Sequence, residues 1–391
     1  MPVTAFGANL AHLPKKSGSR SKREALPFLP ERVLIDCRAA DHPSSIRIMN
    51  ALRDVESDVV EDAGLIKLPD DFDLARRHMI LTRHRGKALR PCAGSSSENF
   101  CCGAMSLEMI SSSPIECSYD ANFPSTPRAA VATVNVDLEA MLAEVSSFLA
   151  KNHGRFFRIR AGAVADLMAL DPMIDFARVL IPFFASKRNA ILEIVTRTSF
   201  IDHLLDLKHR MRTVISWPLN TESIVASEER GAATLDERLA AAGKAAAAGY
   251  GVGFHIDPII INSTVEGAIS EYGALIDKAL ASVPARSIAW MSLGLFKFPS
   301  EMITAVQRRF PATRIFAGEL VPVGKVMKYP RFVRERVLKS LWEKACAALP
   351  AHKIYLCAEG PAIWNSIDPS VQGRECVEKR LCNLEALPLS F

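Results

Sequence analysis

The chain has 391 residues, 49% of them hydrophobic and 23% charged, and its formal net charge is +5. This composition excludes a fibrous or disordered chain, and no apolar run reaches the ~18–20 residues that a membrane span needs. The nine cysteines are too sparse for a disulfide scaffold, and the start of the chain lacks the pattern of a secretory signal. We therefore expect a cytoplasmic protein with reduced thiols.

The N-terminal part of the sequence divides into two regions. Residues 1–30 mix Ser, Lys, Arg, Pro and Gly without a period, which is typical of a disordered basic arm. Residues 31–104 are predicted to form a small α/β region, with strands at "RVLIDC" and "HMILTRH" and a helix at "SSIRIMNALRDV".

Residues 105–365 alternate apolar runs with amphipathic helices, and residues 366–391 form a C-terminal tail. In the helix that follows Thr234, Glu237 completes a capping box. The predicted strands are "AAVATVNV" (129–136), "RFFRIRAG" (155–162), "AILEIVTRT" (190–198), "RTVISWPLN" (212–220), "VGFHIDPIII" (252–261), "SIAWMSLGLF" (287–296), "RIFAGEL" (314–320) and "KIYLCAEG" (353–360).

These strands read as continuous apolar runs, which indicates burial on both faces in a parallel sheet with helices outside it. Six or more such units favour an α/β fold with a partial barrel, preceded by the small α/β region. In barrels the functional side chains follow the carboxyl ends of the strands. The polar residues at these positions are Asp166, Thr196, Arg197, Asn220, His255, Asp257, Ser292, Glu319 and Glu359.

The stretch "SPIECSYD" (113–120) has the spacing of a C-x-x-x-C-x-x-C motif with its outer positions replaced. Cys117 holds the middle position, and Ser113 and Asp120 stand at the other two. Three thiolates at this spacing suit a [4Fe–4S] cluster, because thiolate is a soft and strongly donating ligand for iron. Serine would have to bind as an alkoxide, and aspartate is a harder ligand. The motif alone indicates either a reduced cluster site or a chance cysteine in a loop.

Several longer blocks resemble the spore photoproduct lyase family of radical S-adenosylmethionine proteins. They run in family order from residue 32 to residue 365 and include "ENFCCGAMSLEMISSSPIECSYDANF", "FFASKRNAILEIVTRTSFIDHLLDL" and "ERLAAAGKAAAAGYGVGFHIDPIII". The resemblance implies a partial (β/α)6 TIM-like barrel with a [4Fe–4S] cluster and S-adenosylmethionine as cofactors. It also implies a lyase that reverts a methylene-bridged thymine dimer in DNA through a 5′-deoxyadenosyl radical.

Carried over by position, the resemblance implies a site that is only partly retained. The retained positions are Cys117 for the metal and Tyr119, Asn220, Arg197, His255 and Asp257 for the cofactor. Val195 replaces a cofactor-contacting lysine of the family, and Ala163 falls where some members have a hydrogen-donating cysteine. Pro218 replaces a serine, which removes a hydroxyl group and a backbone N–H.

Three hypotheses for the function remain open. In the first, the chain keeps the barrel and an affinity for nucleic acid, but its radical chemistry is impaired because the motif is reduced to S-x-x-x-C-x-x-D. In the second, it is an active radical DNA-repair lyase whose cluster is held by Cys117, Asp120 and a borrowed thiol. In the third, it is a non-enzymatic barrel protein in which His255, Asp257 and Glu319 hold another metal or a small ligand. The alternative for His255 is a hydrogen-bonded core histidine.

The basic stretch "KVMKYPRFVRER" (325–336) is the candidate nucleic-acid surface. Lysine and arginine neutralise phosphates, and Tyr329 or Phe332 could stack on an unpaired base. An amphipathic surface helix is the alternative. The predicted DNA-contacting residues are Lys328, Tyr329, Arg331, Arg334 and Arg336. We expect a monomer and no membrane partner.

Overall fold

A computed structural model describes residues 28–92, 98–120 and 126–382 of the chain. Residues 1–27 of the predicted basic arm and residues 383–391 of the predicted tail lie outside the described residues. Within the described ranges, none of the helices combines the length and the apolar character that crossing a membrane requires.

The strands are short in the first third of the chain and longer after it. In chain order they are β1 (Arg32–Asp36), β2 (Glu56–Val60), β3 (His78–Thr82), β4 (Leu89–Pro91), β5 (Met105–Leu107), β6 (Ile110–Ser111), β7 (Glu116–Cys117), β8 (Ala132–Asn135), β9 (Phe157–Ala161), β10 (Ala190–Val195), β11 (Thr213–Pro218), β12 (Glu229–Arg230), β13 (Gly251–Ile259), β14 (Ile288–Leu295), β15 (Lys297–Pro299), β16 (Val321–Val323), β17 (Val326–Lys328) and β18 (Ile354–Leu356).

Helices connect most of these strands. They are α1 (Pro43–Ala51), α2 (Phe72–Ala75), α3 (Leu138–Lys151), α4 (Asp171–Ile174), α5 (Ala177–Ala185), α6 (Glu222–Glu228), α7 (Leu235–Ala247), α8 (Val265–Ser282), α9 (Ile303–Arg309), α10 (Arg331–Cys346), α11 (Pro361–Ile367) and α12 (Arg374–Cys382). Helix α7 begins as predicted, because the Thr234 hydroxyl accepts the Glu237 N–H and Glu237 accepts the Thr234 N–H.

The larger sheet is a curled half-barrel with the strand order β18-β14-β13-β11-β10-β9-β5-β4. Its neighbouring strands are parallel except for the pair β4 and β5. Strands β10 and β14 are buried along their whole length, which explains their continuous apolar sequence. The predicted α/β fold with a partial barrel is confirmed.

A smaller sheet has the order β2-β1-β3-β8-β6 and carries most of the N-terminal region. The run "AAVATVNV", which the sequence analysis grouped with the barrel strands, forms β8 and pairs parallel with β3. Its burial alternates along the strand, unlike that of the half-barrel strands. Its position in the second sheet depends on this pairing with β3.

The strand predicted at residues 314–320 is absent from the structure, which has turn and irregular backbone there. The Arg314 N–H donates to the Glu228 carboxylate at 3.3 Å, and the Thr313 hydroxyl donates to the same group at 2.7 Å. These contacts hold the segment against α6. They also engage the Arg314 N–H, which a strand would need for a hydrogen bond to its neighbour. The hairpin of β16 and β17 follows instead.

Candidate functional site

The loop that contains Ser113 and Cys117 is fixed by hydrogen bonds and by strand pairing. The Ser113 hydroxyl donates to the carbonyl of Ile115 at 3.4 Å, and Arg76 donates to the carbonyl of Ser113 at 3.0 Å. Cys117 lies in β7, which pairs antiparallel with β12 opposite Glu229. Both Ser113 and Cys117 are buried.

The Cys117 thiol lies among groups of both charges. Tyr119 donates a hydrogen bond to Glu229, which also pairs with Arg238. Burial raises the pKa of the Cys117 thiol to about 12, and the charge of Glu229 acts in the same direction. The nearby Arg197 guanidinium lowers the pKa, but by less. A metal ligand is a thiolate, so a metal at Cys117 would have to displace this proton.

The three motif positions do not fit a [4Fe–4S] cluster. The Ser113 hydroxyl is bonded to a backbone carbonyl, Cys117 is the one thiol of the motif, and Asp120 offers a hard carboxylate. Among the described residues, no group of three or more His, Cys, Asp or Glu side chains is arranged to hold a metal ion. We derive no chemical step through a cluster at this loop.

Arg197 connects this loop to the interior of the half-barrel. Its backbone N–H donates to Asp166 at 2.6 Å, and its guanidinium lies 5.8 Å from the centre of the Tyr119 ring. The Thr196 hydroxyl donates to Asp166 at 2.8 Å. The Nε atom of Arg197 is buried and has no hydrogen-bond partner among the described residues. Arg197 also lines the cavity inside the half-barrel.

Asn220, predicted to lie near the cofactor, uses its side chain within the protein. Its Nδ2 donates to the carbonyl of Pro258 at 3.0 Å. Its Oδ1 accepts hydrogen bonds from the Thr221 N–H at 3.0 Å and from the Tyr272 hydroxyl. These bonds fix the turn after β11 against β13 and α8.

His255 lies inside the half-barrel with both ring nitrogens engaged. Its Nδ1 is 2.7 Å from Ser292 Oγ, and its Nε2 is 2.9 Å from Glu193 Oε1. Burial lowers the pKa of His255, and the hydrogen bond to Glu193 opposes that shift. Asp257 lines the same cavity, whereas Glu319 is exposed outside it. The structure therefore does not bring the three ligands of the third hypothesis together.

A buried charge cluster that the sequence analysis missed fills the interior of the half-barrel. Glu193 of β10 is fully buried, and its Oε2 lies 3.2 Å from Arg158 Nε and 3.0 Å from Arg160 Nε. Ser216 and Trp290 donate to Oε1 of Glu193 at 2.7 and 2.9 Å. Burial acts to raise the pKa of Glu193, but the two guanidinium groups hold it well below its usual range.

Arg158 also contacts a thiol and aromatic rings. Its Nη2 lies 3.0 Å from Cys102 Sγ and 3.0 Å from the Tyr355 hydroxyl, and its Cζ lies 4.6 Å from the centre of the Trp290 ring. A sequence signal for this cluster exists: charged residues at alternate positions of "FRIRA" and within "AILEIV" interrupt apolar strands. In strands buried on both faces, such residues must find partners inside.

A cavity of about 130 Å³ lies beside this cluster at the strand ends. Sites for drug-sized ligands measure roughly 300–1,000 Å³, so this cavity has room for a few water-sized molecules. Its lining includes Cys92, Cys101, Cys102, Cys357, Arg160, Arg197, His255 and Asp257. Cys117 does not line it.

Two arginines of the basic stretch are on the surface. Arg331 pairs with Glu335 at 2.8 Å, and Arg336 pairs with Glu266 at 2.6 Å; both arginine side chains are 62% exposed. Exposed pairs of this kind are screened by solvent and contribute little to stability. The two guanidinium groups can therefore exchange these partners for phosphates at little cost.

Three other residues of the predicted surface, Lys328, Tyr329 and Arg334, are less accessible. Arg334 pairs with the buried Glu359, and burial lowers the pKa of the half-buried Lys328. Tyr329 is 2% exposed, and its hydroxyl accepts the Ile261 N–H at 2.9 Å. Its ring is therefore not available to stack on a base, whereas Phe332 is 70% exposed.

The architecture defines the class of protein: a curled, mostly parallel α/β half-barrel with its polar site at the strand ends. A family model described as spore photoproduct lyase matches residues 115–340. The chain belongs to the spore photoproduct lyase family, and the predicted membership is confirmed.

Relatives in other organisms are similar over part of the chain. The spore photoproduct lyase of Bacillus subtilis is 28% identical over 186 residues, which cover 47% of this chain and 54% of that protein. The chain spans about half the length of this relative and of the Geobacillus relative. The Clostridium acetobutylicum spore photoproduct lyase is 19% identical over 73% of this chain and 83% of its own.

Solved structures share the fold at low sequence identity. A spore photoproduct lyase complexed with dinucleoside spore photoproduct superposes with a TM-score of 0.73 and 18% identity, covering 84% of this chain and 98% of that chain. A double mutant of spore photoproduct lyase with bound AdoMet and dinucleoside spore photoproduct gives the same values.

Proposed function

We propose that this chain is a nucleic-acid-binding member of the family that does not assemble a [4Fe–4S] cluster at residues 113–120. The observation that carries the proposal is the donor set of the loop: Cys117 is its one thiol, and the Ser113 hydroxyl at another motif position is bonded to the carbonyl of Ile115. A cluster needs several thiolates, and the motif supplies one thiol. The family's radical chemistry would therefore be impaired at this loop.

The nucleic-acid part of the proposal rests on an exposed surface at the start of α10. Arg331 and Arg336 lie one to two helical turns apart, and Phe332 stands between them. A family relative was solved with a dinucleoside photoproduct, which supports a nucleic-acid ligand for this chain. We propose that Arg331, Arg336 and Phe332 contact it, that Lys328 lies at the edge of the contact, and that Arg334 and Tyr329 hold the surface in place.

Two further assignments follow for the predicted cofactor residues. We propose that Arg197 still presents a cation to the interior, because its Nε is buried without a partner among the described residues. We assign Asn220 a structural role instead, because its Nδ2 donates to β13 and its Oδ1 accepts from α8.

Iron binding tests the first half of the proposal. The chain is purified without oxygen, reconstituted with iron and sulfide, and compared with Ser113→Cys/Asp120→Cys. We expect about four irons per chain in this variant and almost none in the natural chain. Ser370→Cys/Asp54→Cys, which adds two thiols at exposed positions, is the matched control and should stay without iron.

A filled cluster in the natural chain would overturn the proposal and return the second hypothesis, an active lyase with unconventional ligation. If neither natural chain nor double variant takes up iron, then residues 113–120 are not the cluster loop of this fold.

DNA binding tests the second half. Affinity for duplex and for gapped DNA is measured against salt for the natural chain and for Arg331→Gln/Arg336→Gln. Each lost phosphate contact reduces the slope of log K against log salt by about 0.9 for duplex DNA, so we expect a reduction of about 2. Arg53→Gln/Arg178→Gln removes the same charge from exposed pairs elsewhere. Equal slopes for the two double variants would refute the proposed surface.

A further inference from the structure

Four cysteines line the cavity inside the half-barrel, away from the loop at 113–120. Cys101 and Cys102 precede β5, Cys92 follows β4, and Cys357 follows β18. The Cys92 N–H donates to the carbonyl of Ala104 at 3.0 Å. This bond extends the antiparallel pairing of β4 and β5 and brings the Cys92 thiol beside the Cys101–Cys102 segment.

The charges around Cys102 favour a thiolate. Arg158 and Arg160 bring two positive charges into the interior, and Glu193 contacts both with a single negative charge. The Arg158 guanidinium lies 3.0 Å from Cys102 Sγ. A thiolate at Cys102 therefore supplies a second negative charge to match the two arginines. The hydrogen bond from Cys101 lowers the pKa of Cys102 to about 6; Arg158 and Arg160 act in the same direction, and burial acts against them.

Neighbours from several elements face this sulfur. Cys101 has a raised pKa, first because it hydrogen-bonds to Cys102 and then because it hydrogen-bonds to Cys92. Cys101 therefore serves as a donor to its neighbour. The titratable and charged groups facing Cys102 are Cys92, Cys101, Arg158, Arg160, Tyr355 and Cys357.

We propose that Cys102 is a modification site for small hydroperoxides and that Cys92 is its resolving thiol. The sulfur of Cys102 attacks the peroxide oxygen: an S–O bond forms and the O–O bond breaks. The sulfur is oxidised by two electrons to a sulfenic acid, and the peroxide is reduced, with its leaving oxygen taking up a proton. The Cys92 sulfur then attacks Cys102; an S–S bond forms, the S–O bond breaks, and water leaves with the proton of the Cys92 thiol.

Geometry favours Cys92 over Cys101 as the resolving thiol. Consecutive Cα atoms are 3.80 Å apart across a trans peptide, whereas the Cα atoms of a disulfide usually lie 4.4–6.8 Å apart. A disulfide between Cys101 and Cys102 would therefore be strained. Cys92 is distant in sequence and close in space, so it has no such restriction.

The volume of the cavity limits the size of the oxidant that can reach Cys102. A volume of about 130 Å³ admits hydrogen peroxide or another molecule of a few heavy atoms. It does not admit a bulky disulfide such as oxidised glutathione.

The first test is the pH profile of alkylation in the natural, full-length chain. Reduced protein is pulsed with iodoacetamide from pH 4 to pH 10, and each cysteine is quantified by peptide mass spectrometry. We expect half-maximal labelling of Cys102 near pH 6. Burial raises the pKa of the Cys346 thiol, so this internal control should reach half-maximal labelling above pH 8.5. A Cys102 profile that coincides with that of Cys346 overturns the proposal.

The second test follows the oxidation itself. After one equivalent of hydrogen peroxide, the natural chain should contain a Cys92–Cys102 disulfide. Cys92→Ser should instead hold the sulfenic acid, which dimedone traps at Cys102. Cys37→Ser removes an exposed thiol outside the cavity and should leave the disulfide unchanged. Oxidation that falls mainly on Cys37 in the natural chain refutes the assignment, whatever the folding of the variants.

Discussion

Replacing Glu193 by glutamine removes the one carboxylate that contacts Arg158 and Arg160 in the described structure while keeping the shape of the side chain. The amide oxygen can still accept hydrogen bonds from Ser216 and Trp290, which lie 2.7 and 2.9 Å from Oε1. The substitution therefore tests the charge of the cluster and leaves its packing nearly intact. In the variant the guanidinium groups of Arg158 and Arg160 lose the negative charge of Glu193.

The magnitude follows from the distances. Unit charges about 3 Å apart attract by about 5 kcal/mol at an effective dielectric constant of about 20, and Glu193 lies 3.2 and 3.0 Å from the two guanidinium groups. Dehydrating the carboxylate costs several kcal/mol, which the variant avoids. The net loss on breaking a buried pair is about 3–5 kcal/mol. In a chain of this length that lowers Tm by roughly 4–6 °C.

The pH dependence has a defined sign. The folded-state pKa of Glu193 is depressed, so its stabilising contribution is present above the unfolded-chain pKa of about 4.3 and is lost as the pH falls through the folded-state value. The stability difference between the natural chain and Glu193→Gln should therefore be constant from pH 8 to pH 5 and shrink below about pH 4.

Urea unfolding at several pH values measures this difference, with Glu56→Gln as the control at an exposed position. The control should change the stability by less than about 0.5 kcal/mol. If Glu193→Gln costs no more than the control at pH 7, the cluster is not held by its central charge. A Cys102 thiolate is then also not required as the second negative charge beside Arg158 and Arg160.

Three further experiments, two with substitutions and one with thiol labelling, test the structure. Thr234→Ala removes the capping box of α7 and should cost about 1 kcal/mol in urea unfolding. Thr221→Ala, at a helix start where the side chain makes no capping bond to the backbone, should cost clearly less. Gly86→Ala, at a φ of +88° in open space, should lose about 1–2 kcal/mol. Gly162→Ala, at a φ of +85°, should lose more, because its Cβ would also lie 2.3 Å from the carbonyl of Val195; equal losses would show that the close contact relaxes. Burial raises the pKa of Cys117 to about 12, so iodoacetamide should leave this thiol unlabelled below pH 10 in folded protein, and rapid labelling at pH 8 would contradict the environment described for it.

Sequence patterns predicted the half-barrel because burial on both faces is recorded locally, in continuous apolar runs such as those of β10 and β14. They did not predict which sheet β8 joins, because this depends on its pairing with β3, more than 50 residues earlier. The strand predicted at 314–320 failed for a similar reason, since the Glu228 carboxylate that accepts the Arg314 N–H is 86 residues away. Local patterns carry no record of such partners.

The candidate site was predictable in its positions more than in its chemistry. His255 and Asp257, which the sequence analysis expected near the end of a strand, both line the cavity. The burial of Tyr329 could not be read from a stretch that is basic on both sides of it, because its partner is the backbone of Ile261. Glu193 was overlooked although its sequence signal was visible, since an ionised residue inside an apolar strand implies a buried partner.

Cys102 and Cys117 show how the same side chain acquires opposite properties inside one half-barrel. Each lies near an arginine, Arg158 and Arg197 respectively. Burial and the carboxylate of Glu229 together raise the pKa of Cys117 to about 12. The hydrogen bond from Cys101, with the positive charges of Arg158 and Arg160, lowers the pKa of Cys102 to about 6 against the effect of burial.

The surroundings, not the thiols themselves, therefore decide which cysteine reacts. A single alkylation series on the natural chain should label Cys102 several pH units before Cys117. The order of labelling reports where the interior stabilises negative charge. Labelling of Cys117 first would mean that the anion-stabilising position is still the loop at 113–120, and it would contradict both the proposed function and the peroxide site.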